Sequence, residues 1–426
     1  MRNERRVCGV AKTMGLLAAV IVLFLCQGAF SAGWTAEYEQ PGEVSARGVL
    51  KPEQLKGPYH TVEDQVRHDG LFYRYTVQTP FGQYAPASTF ALDVLIKELN
   101  AIAAMRKVET KDTAVESLKA SGEKTVTGLK NLFTEPVDTL GGAAEGIGDL
   151  FDRASQTVGR RETTGAEDSK VAQALGFSKS KGEIASKFGV SVYSRNPALQ
   201  EELDRLGWAD YLGGISIGAA TSVVPGVGGI VLTTSGSARL LNDAINNTPA
   251  SKLWLQNKNK LVAMGFNADT VEFFLNNKAF NPALETVLVS ALESMKGVAN
   301  REIFIKVGMQ ASNPDMARTI TEMAALLAGY HNRVEPLKSL APMARVACGI
   351  KRDGSPVAAL PVDNLLWSER IAGVARDMAA KRKGLAGAPE LWVLGTVSDQ
   401  ARKGLTAAGW KVNERAGGKL MAPIKP

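Results

Sequence analysis

Three histidines, His60, His68 and His331, are the side chains of this 426-residue chain best suited to metal binding or acid–base chemistry near neutral pH. On a β-strand, His60, Asp64 and His68 would point to one face. Residues four apart on a strand nevertheless lie roughly 13 Å apart, which is too far to share a metal ion. In a helix, Asp64 and His68 would instead be neighbours. We expect hydrogen-bonded imidazoles on a surface hairpin, no metal site, and no general base at His331.

Other patterns that could support catalysis or phosphate binding are incomplete. The Ser-x-x-Lys spacings at 121–124 and 178–181 are expected by chance in a chain with this much Ser and Lys. The G-x-S-x-G pattern at 214–218 lies within the apolar, glycine-rich segment 212–232 and is not interpreted as a nucleophile elbow. The run 122–125 lacks the Gly-Lys pair of a P-loop, and the glycines at 226–229 follow no clear strand. The pair Glu201-Glu202 is interpreted as a solvated helix face. We therefore predict no cofactor, and the catalytic residues, if any, are unknown.

The first 31 residues have the pattern of a secretory signal peptide. A basic start precedes an uncharged apolar run from Met14 to Cys26, and small residues, Ala29 and Ser31, precede a cleavage point. The apolar run is shorter than the roughly 20 residues that span a bilayer. Two alternatives stay open, an uncleaved anchor and a lipoprotein with Cys26 as the lipidated residue, although Leu25 does not suit that signal. We expect a periplasmic or extracellular protein, with membrane association left open.

Removal of this leader changes the charge and the cysteine count. The leader carries +3 of the net charge of +7, so the remaining 395 residues carry +4. This weak excess does not indicate nucleic-acid binding, which needs clustered basic residues. Cys348 is then the single remaining cysteine, and it cannot form an internal disulfide. We expect Cys348 to be a small buried apolar residue.

Hydrophobic periodicity predicts a mainly α fold with small α+β parts. Asn-Pro pairs at Asn196, Asn281 and Asn313 predict helix starts, because Asn caps a free backbone N–H and Pro needs no partner at the first helical position. The predicted segments are a flexible lead-in at 32–57, a β-hairpin with amphipathic helices at 58–159, a linker at 160–170, a helical domain at 171–335, and a C-terminal α/β domain at 336–426.

Local patterns predict elements within these segments. Strand-forming runs on both sides of Asp69-Gly70 predict a hairpin, and Ser88 is expected to cap a helix that ends near Lys107. The amphipathic stretch 113–158 has an acidic polar face, which favours packing on the protein over binding to a membrane surface. The C-terminal domain is expected to contain a hairpin of 345–350 and 356–360, a helix from Ser368, and a β-α-β unit made of 390–397, 398–408 and 410–414.

One apolar, glycine-rich segment, 212–232, has no charged residue over 21 positions. Small residues repeat every four positions, as in helices that pack closely in membranes, and aromatic residues stand at its front edge. The segment is either a membrane-inserted device or a buried glycine-rich helical hairpin, and Pro225 and the many glycines favour the buried form. The candidate membrane or partner contacts are Trp208, Tyr211, Gly214, Gly218 and Gly226.

Three stretches are together similar to an uncharacterised family of exported bacterial proteins. They are 192–200 (VYSRNPALQ), 274–282 (FLNNKAFNP) and 395–402 (GTVSDQAR) with Gly409-Trp410. The resemblance implies one architecture over 58–426, and it implies no activity and no site residue.

Two classes of function follow from these patterns. We expect a non-enzymatic cell-envelope protein that binds an unknown protein or membrane partner, and no nucleic acid. The alternative is an envelope hydrolase whose site is assembled from distant residues. A membrane-inserting role for 212–232 is a third option. Whether the protein is an enzyme, and its oligomeric state, are left open.

Overall fold

The computed structural model describes residues 38–108, 165–212, 236–343, 346–381 and 387–421. The leader, the amphipathic stretch 113–158 and residues 213–232 of the apolar segment lie outside the described residues. From Glu39 onward the chain forms one compact unit. The fold is mixed α+β, and more of the described residues are in helices than in strands.

Short strands and helical turns form the N-terminal part. Two antiparallel sheets have the strand orders β1-β4-β5 and β2-β3-β6-β7. The elements are β1 (Gly42–Ser45), α1 (Ala46–Val49), α2 (Pro52–Leu55), β2 (Lys56–Gly57), β3 (His60–Val62), β4 (Gln65–His68), β5 (Tyr73–Arg74), β6 (Val77–Thr79) and β7 (Gly82–Tyr84).

The prediction of a flexible lead-in at 32–57 is wrong for residues 42–57. Strand β1 pairs with β4, so that Val44 lies opposite Val66, and Ala46 and Leu50 are buried. These elements are two to four residues long, too short to show a hydrophobic period, and long-range pairing and burial define them.

The hairpin at Asp69-Gly70 is confirmed, since β4 and β5 pair with His68 opposite Tyr73. Gly70 has φ of +97°, a conformation that favours glycine. The two predicted strands are each broken, however, and their parts belong to different sheets. Strand β3 pairs with β6, whereas β4 pairs with β1 and β5.

Helices form the middle of the chain. In chain order they are α3 (Thr89–Arg106), α4 (Gly165–Lys187), α5 (Pro197–Tyr211), α6 (Gly236–Asn246), α7 (Ala250–Ala263), α8 (Ala268–Leu275), α9 (Pro282–Ser294), α10 (Ile303–Gly308) and α11 (Pro314–Arg333). All three Asn-Pro helix starts are confirmed. The Asn196, Asn281 and Asn313 side chains accept backbone N–H groups at the starts of α5, α9 and α11. Ser88 likewise caps α3.

The linker prediction for 160–170 is wrong for residues 165–170, which form the start of α4. Residues 160–164 lie outside the described part of the chain. The charged composition that indicates a linker here also includes Ala, Glu and Lys, which are good helix formers, so composition alone does not separate the two structures.

The C-terminal region contains a five-stranded mixed sheet with the order β14-β12-β10-β9-β8. The hairpin is confirmed by antiparallel pairing of β9 and β10, and the β-α-β unit by parallel pairing of β12 and β14. Strand β8, which extends the hairpin, was not predicted. The elements are β8 (Ser339–Met343), β9 (Val346–Ile350), β10 (Pro356–Leu360), β11 (Asn364–Leu365), α12 (Glu369–Lys381), β12 (Glu390–Val393), β13 (Thr396–Val397), α13 (Asp399–Ala407), β14 (Lys411–Asn413) and α14 (Gly417–Leu420).

The hydrophobic cores extend across the predicted boundaries. One core joins Tyr75 and Leu99 of the N-terminal part to Leu203 of α5. A second joins Phe304 of α10 and buried apolar residues of α8, α9 and α11 to Trp392 of the C-terminal sheet. Neither the boundary at 160–170 nor that at 336 therefore separates two independent cores.

The loop between α4 and α5 is held by α6. Asn246, which is buried, donates a hydrogen bond of 2.8 Å to the carbonyl of Val190 and accepts one of 3.0 Å from the N–H of Val192. Gly182 of α4 lies against the carbonyl of Asn246, where a Cβ atom would collide with the backbone. This close approach places loop 189–195 beside the start of α9.

Candidate functional site

A cleft of about 260 Å³ opens between α3, loop 189–195, the end of α6, and the N-terminal parts of α9 and α11. We call it the central cleft. Its walls are mainly aliphatic and aromatic, which suits an apolar ligand. The apolar residues that line it include Phe90, Val94, Val190, Leu241, Ile245, Ala283, Leu284 and Val287.

The Asn-Pro helix starts help to build this cleft. Asn281 accepts the N–H of Leu284 at 2.9 Å, and it donates from Nδ2 to the carbonyl of Tyr193 at 3.0 Å. The same residue therefore starts α9 and fixes the facing loop. Pro314, at the start of α11, lines the opposite side.

Glu98 is a buried carboxyl group in the wall of the cleft. Its Oε1 lies 2.6 Å from the Ser194 hydroxyl, and its Oε2 accepts a hydrogen bond of 3.1 Å from Asn196 Nδ2. Burial raises the pKa of Glu98 above its usual value, and these hydrogen bonds and the charges of Arg318 and Lys97 oppose that rise. Both carboxyl oxygens are engaged within the protein.

Glu322 differs, because one of its oxygens has no hydrogen-bond partner in the part of the chain that the structure describes. The residue is only 5% exposed, and Oε1 has no hydrogen-bond partner among the described residues. Burial raises the pKa of Glu322 to about 8, so this carboxyl group is mainly protonated at neutral pH. A buried polar atom without a partner is costly, and such atoms in native folds need an explanation such as a ligand or water.

A second cavity, of about 400 Å³, adjoins the central cleft and shares Arg318 and Glu322 with it. Its other lining residues are mainly polar, including Asp69 and Arg74 of the N-terminal hairpin and Arg370 of α12. Arg318 and Glu322 therefore lie at the boundary between the apolar central cleft and this polar cavity.

Lys97 of α3 and Arg318 of α11 are two cationic side chains in the lining of the central cleft. Neither forms an ion pair or a side-chain hydrogen bond with another described residue. Burial lowers the pKa of Lys97, and the charge of Glu98 opposes this change. Both cations act electrostatically on Glu98. The cleft thus combines apolar walls with these two cations and two carboxyl groups of raised pKa, Glu98 and Glu322.

The three histidines lie outside this cleft, and the prediction that His60 and His68 lie on the surface is wrong, since both are buried. His60 Nε2 is 3.1 Å from the carbonyl of Gln54, and His68 Nε2 is 3.0 Å from that of Asn364. His331 Nδ1 accepts the N–H of Leu337 at 3.0 Å. All three imidazoles are therefore hydrogen-bonded to backbone groups, and burial lowers the pKa of each.

Glu202 and Cys348, two further residues singled out in the sequence, are both buried within the fold. Glu202 is buried and forms ion pairs with Arg106 and Arg205, which corrects the interpretation of Glu201-Glu202 as a solvated pair. Glu201 is exposed. The expectation for Cys348 is confirmed, because it is a free, buried thiol whose pKa burial raises to about 12.

Of the candidate membrane or partner contacts, Trp208 and Tyr211 pack on α4. The Trp208 ring stacks on Phe177 with centroids 4.4 Å apart, and Tyr211 lies edge-on to Trp208 and beside Gly176. Trp208 is buried by these contacts. Gly214, Gly218 and Gly226 lie outside the described residues.

Sequence reasoning missed the residues that define the central cleft, Lys97, Glu98, Arg318 and Glu322. The available signal was a charged residue inside an otherwise apolar helical run. Glu98 stands between Leu95 and Leu99, which are buried, and Glu322 follows buried Thr321. A charge on the buried face of an amphipathic helix indicates a special environment.

Across the described ranges, no three or more His, Cys, Asp or Glu side chains come together in a way that could hold a metal ion. No helix in the described part of the chain combines the length and apolar character needed to cross a membrane.

In comparisons with known proteins, no family model, no curated protein and no solved structure matches this chain. The similarity to an uncharacterised exported family stays a prediction from the sequence.

Proposed function

We propose that this chain is an exported cell-envelope protein that binds a small, largely apolar ligand in the central cleft without transforming it. The basic start, apolar run and small residues of 1–31 support the export. The resemblance to exported bacterial proteins is consistent with a location outside the cytoplasm. The sequence predicts an unknown protein or membrane partner, and we propose a small molecule in its place.

The observation that carries the proposal is the environment of Glu322. Its unpartnered, buried Oε1 belongs to a side chain that lines a cleft with mainly apolar walls. Small-molecule sites in proteins combine apolar walls with a few polar groups, in cavities of roughly 300–1,000 Å³. The central cleft, at about 260 Å³, lies just below that range, and the adjoining polar cavity adds about 400 Å³.

The contacts of the cleft support binding over hydrolysis. A hydrolase would need a general base within hydrogen-bond reach of its nucleophile or water. Glu98 uses both of its oxygens for hydrogen bonds with Ser194 and Asn196, so it is poorly placed to take a proton from a nucleophile or water. The histidines are occupied elsewhere by backbone groups. A membrane-inserting role for 212–232 stays a separate prediction.

A fluorescent probe tests the binding proposal. N-phenyl-1-naphthylamine is apolar and uncharged, and its emission rises when it leaves water. We expect saturable binding to the mature protein and a loss of at least about tenfold in affinity for Ala283→Trp, which fills the cleft. Ala263→Trp is the matched control, because Ala263 is an exposed alanine at the end of α7. Absence of saturable binding to the folded protein would refute the proposal.

A further inference from the structure

The charges around the central cleft do not balance at neutral pH. Lys97 and Arg318 contribute two positive charges, and neither is paired with a carboxylate among the described residues. Glu322 is mainly protonated, since burial raises its pKa to about 8, so Glu98 is the one carboxyl group in the lining that can add a full negative charge. The cleft therefore carries a net positive charge inside a mainly apolar wall.

Arg195 is a third cation in the lining of the cleft, but its guanidinium contacts a backbone carbonyl outside the lining. Its guanidinium donates a hydrogen bond of 3.0 Å to the carbonyl of Lys278 in the loop before α9. Arg195 thus fixes the rim of the cleft, and Lys97 and Arg318 are the cations that remain for a ligand.

From this geometry we propose that the ligand is an amphiphile with one anionic head group, bound between Lys97 and Arg318, with its apolar chain along Val94, Ile245 and Val287. This inference rests on the proposed binding function. Arg318 also lines the polar cavity next to the cleft, which places the head group at the boundary between the two. The neutral carboxyl group of Glu322 can donate a hydrogen bond to the anion there.

Other head groups fit these contacts less well. A cationic amphiphile would be repelled by Lys97 and Arg318. A neutral amphiphile would leave both cations partly desolvated and without a partner, which is unfavourable. An anion pairs with them through charge-assisted hydrogen bonds, and Arg suits both carboxylate and phosphate groups.

Displacement of N-phenyl-1-naphthylamine by a set of compounds with one common chain tests the inference. The set is decanoate, decyl phosphate, decanol and decyltrimethylammonium, with inorganic phosphate as the anion without a chain. We expect one or both anionic amphiphiles to displace the probe at concentrations at least about tenfold lower than decanol, which corresponds to about 1.4 kcal/mol. The two anionic arms separate a carboxylate ligand from a phosphate ligand.

Charge-removing variants assign the effect to the two cations. In a Lys97→Gln, Arg318→Gln double variant, the preference for anions over decanol should fall to less than about threefold, while displacement by decanol is unchanged. Lys252→Gln with Arg352→Gln is the matched control, because both residues are exposed and neither lines the cleft.

Each outcome separates this inference from the function on which it rests. Equal displacement by decanol and the anions, or preference for decyltrimethylammonium, overturns the anionic head group but leaves ligand binding intact. Anion preference that survives in the double variant overturns the role of Lys97 and Arg318. Displacement by inorganic phosphate alone overturns the amphiphile in favour of a free anion. Failure of the probe to bind at all refutes the proposed function itself.

Discussion

Asn196 Nδ2 donates a hydrogen bond of 3.1 Å to Glu98 Oε2, although the two residues are 98 positions apart in the chain. The Oδ1 atom of Asn196 at the same time accepts the N–H of Leu199 at the start of α5. One amide therefore starts a helix and holds the buried carboxyl group that forms a wall of the central cleft.

Glu98 should contribute to stability through its hydrogen bonds and not through its charge. Glu98→Ala removes the partner of Ser194 and Asn196, and we expect a loss of about 2–4 kcal/mol in the free energy of unfolding. Glu98→Gln keeps the shape and a carbonyl oxygen for Asn196, so it should cost less than about 1.5 kcal/mol. Urea unfolding followed by circular dichroism measures both values. If Glu98→Gln were as destabilising as Glu98→Ala, the carboxyl group would have a role that hydrogen bonding does not explain.

The pH dependence of stability should report on Glu322. The folded-state pKa, about 8, lies above the usual value of 4.5, so between these values the folded chain retains a proton that the unfolded chain loses. Stability from this group is complete below about pH 4.5 and falls as pH rises to about 8. We expect a contribution on the order of 3 kcal/mol, measured as the change in the free energy of unfolding between about pH 5 and about pH 9.

A variant isolates this contribution from other titrating groups. Arg318 and Asp363 act on Glu322, and burial raises the pKa of Asp363 to about 6. The buried histidines have lowered pKa values and act in the opposite direction at acidic pH. Glu322→Gln should flatten the decline in stability towards high pH, whereas Glu293→Gln, on an exposed site, should leave it unchanged. An unchanged slope in Glu322→Gln would show that this carboxyl group titrates normally.

Asn281 should stabilise the fold more than Asn313, because Asn281 makes a further hydrogen bond in addition to capping its helix. Among the described residues, the Asn313 side chain accepts only the N–H of Met316, and Asn313→Ala should cost about 1 kcal/mol, as for an ordinary cap. Asn281 also donates to Tyr193, and Asn281→Ala should cost about 1 kcal/mol more, because it leaves that buried carbonyl unpaired. Thermal or urea unfolding of the two variants gives the comparison. Equal losses would mean that the contact between Asn281 and loop 189–195 adds nothing.

Export predicts a defined mature N-terminus. We expect N-terminal sequencing of the protein from the envelope fraction to begin at Ala32, because Ala29 and Ser31 suit the signal peptidase. Ala29→Arg should leave the leader attached, and Cys26→Ser should have no effect on processing. Intact Met1 on cytosolic protein would contradict export, and loss of processing in Cys26→Ser would favour the lipoprotein alternative.

The local features of the fold could be predicted, because their causes are local. The Asn-Pro pairs, Ser88 and Asp69-Gly70 each mark a helix start or a turn, since capping and backbone preferences act within four residues. The lead-in at 42–57 could not be predicted in the same way. Its strand β1 exists because it pairs with β4, about 20 residues later.

The candidate site could not be predicted, because it depends on contacts between distant residues. Lys97, Glu98, Arg318 and Glu322 come from α3 and α11, which are separated by more than 200 positions in the sequence. Asp363 adds a further long-range contact, since its carboxyl oxygens accept the N–H groups of Tyr73 and Thr89. His60 and His68 were the most conspicuous residues, and burial against backbone carbonyls explains their presence without chemistry.

Hydrogen–deuterium exchange with and without saturating N-phenyl-1-naphthylamine tests the binding cleft most directly, because it locates the ligand. We predict slower exchange in peptides from the first turns of α3 and α11, at 89–98 and 314–322, and no change in β12 at 390–393. Slowing confined to the C-terminal sheet, or no slowing in any peptide at saturation, would contradict the assignment of the central cleft as the ligand site.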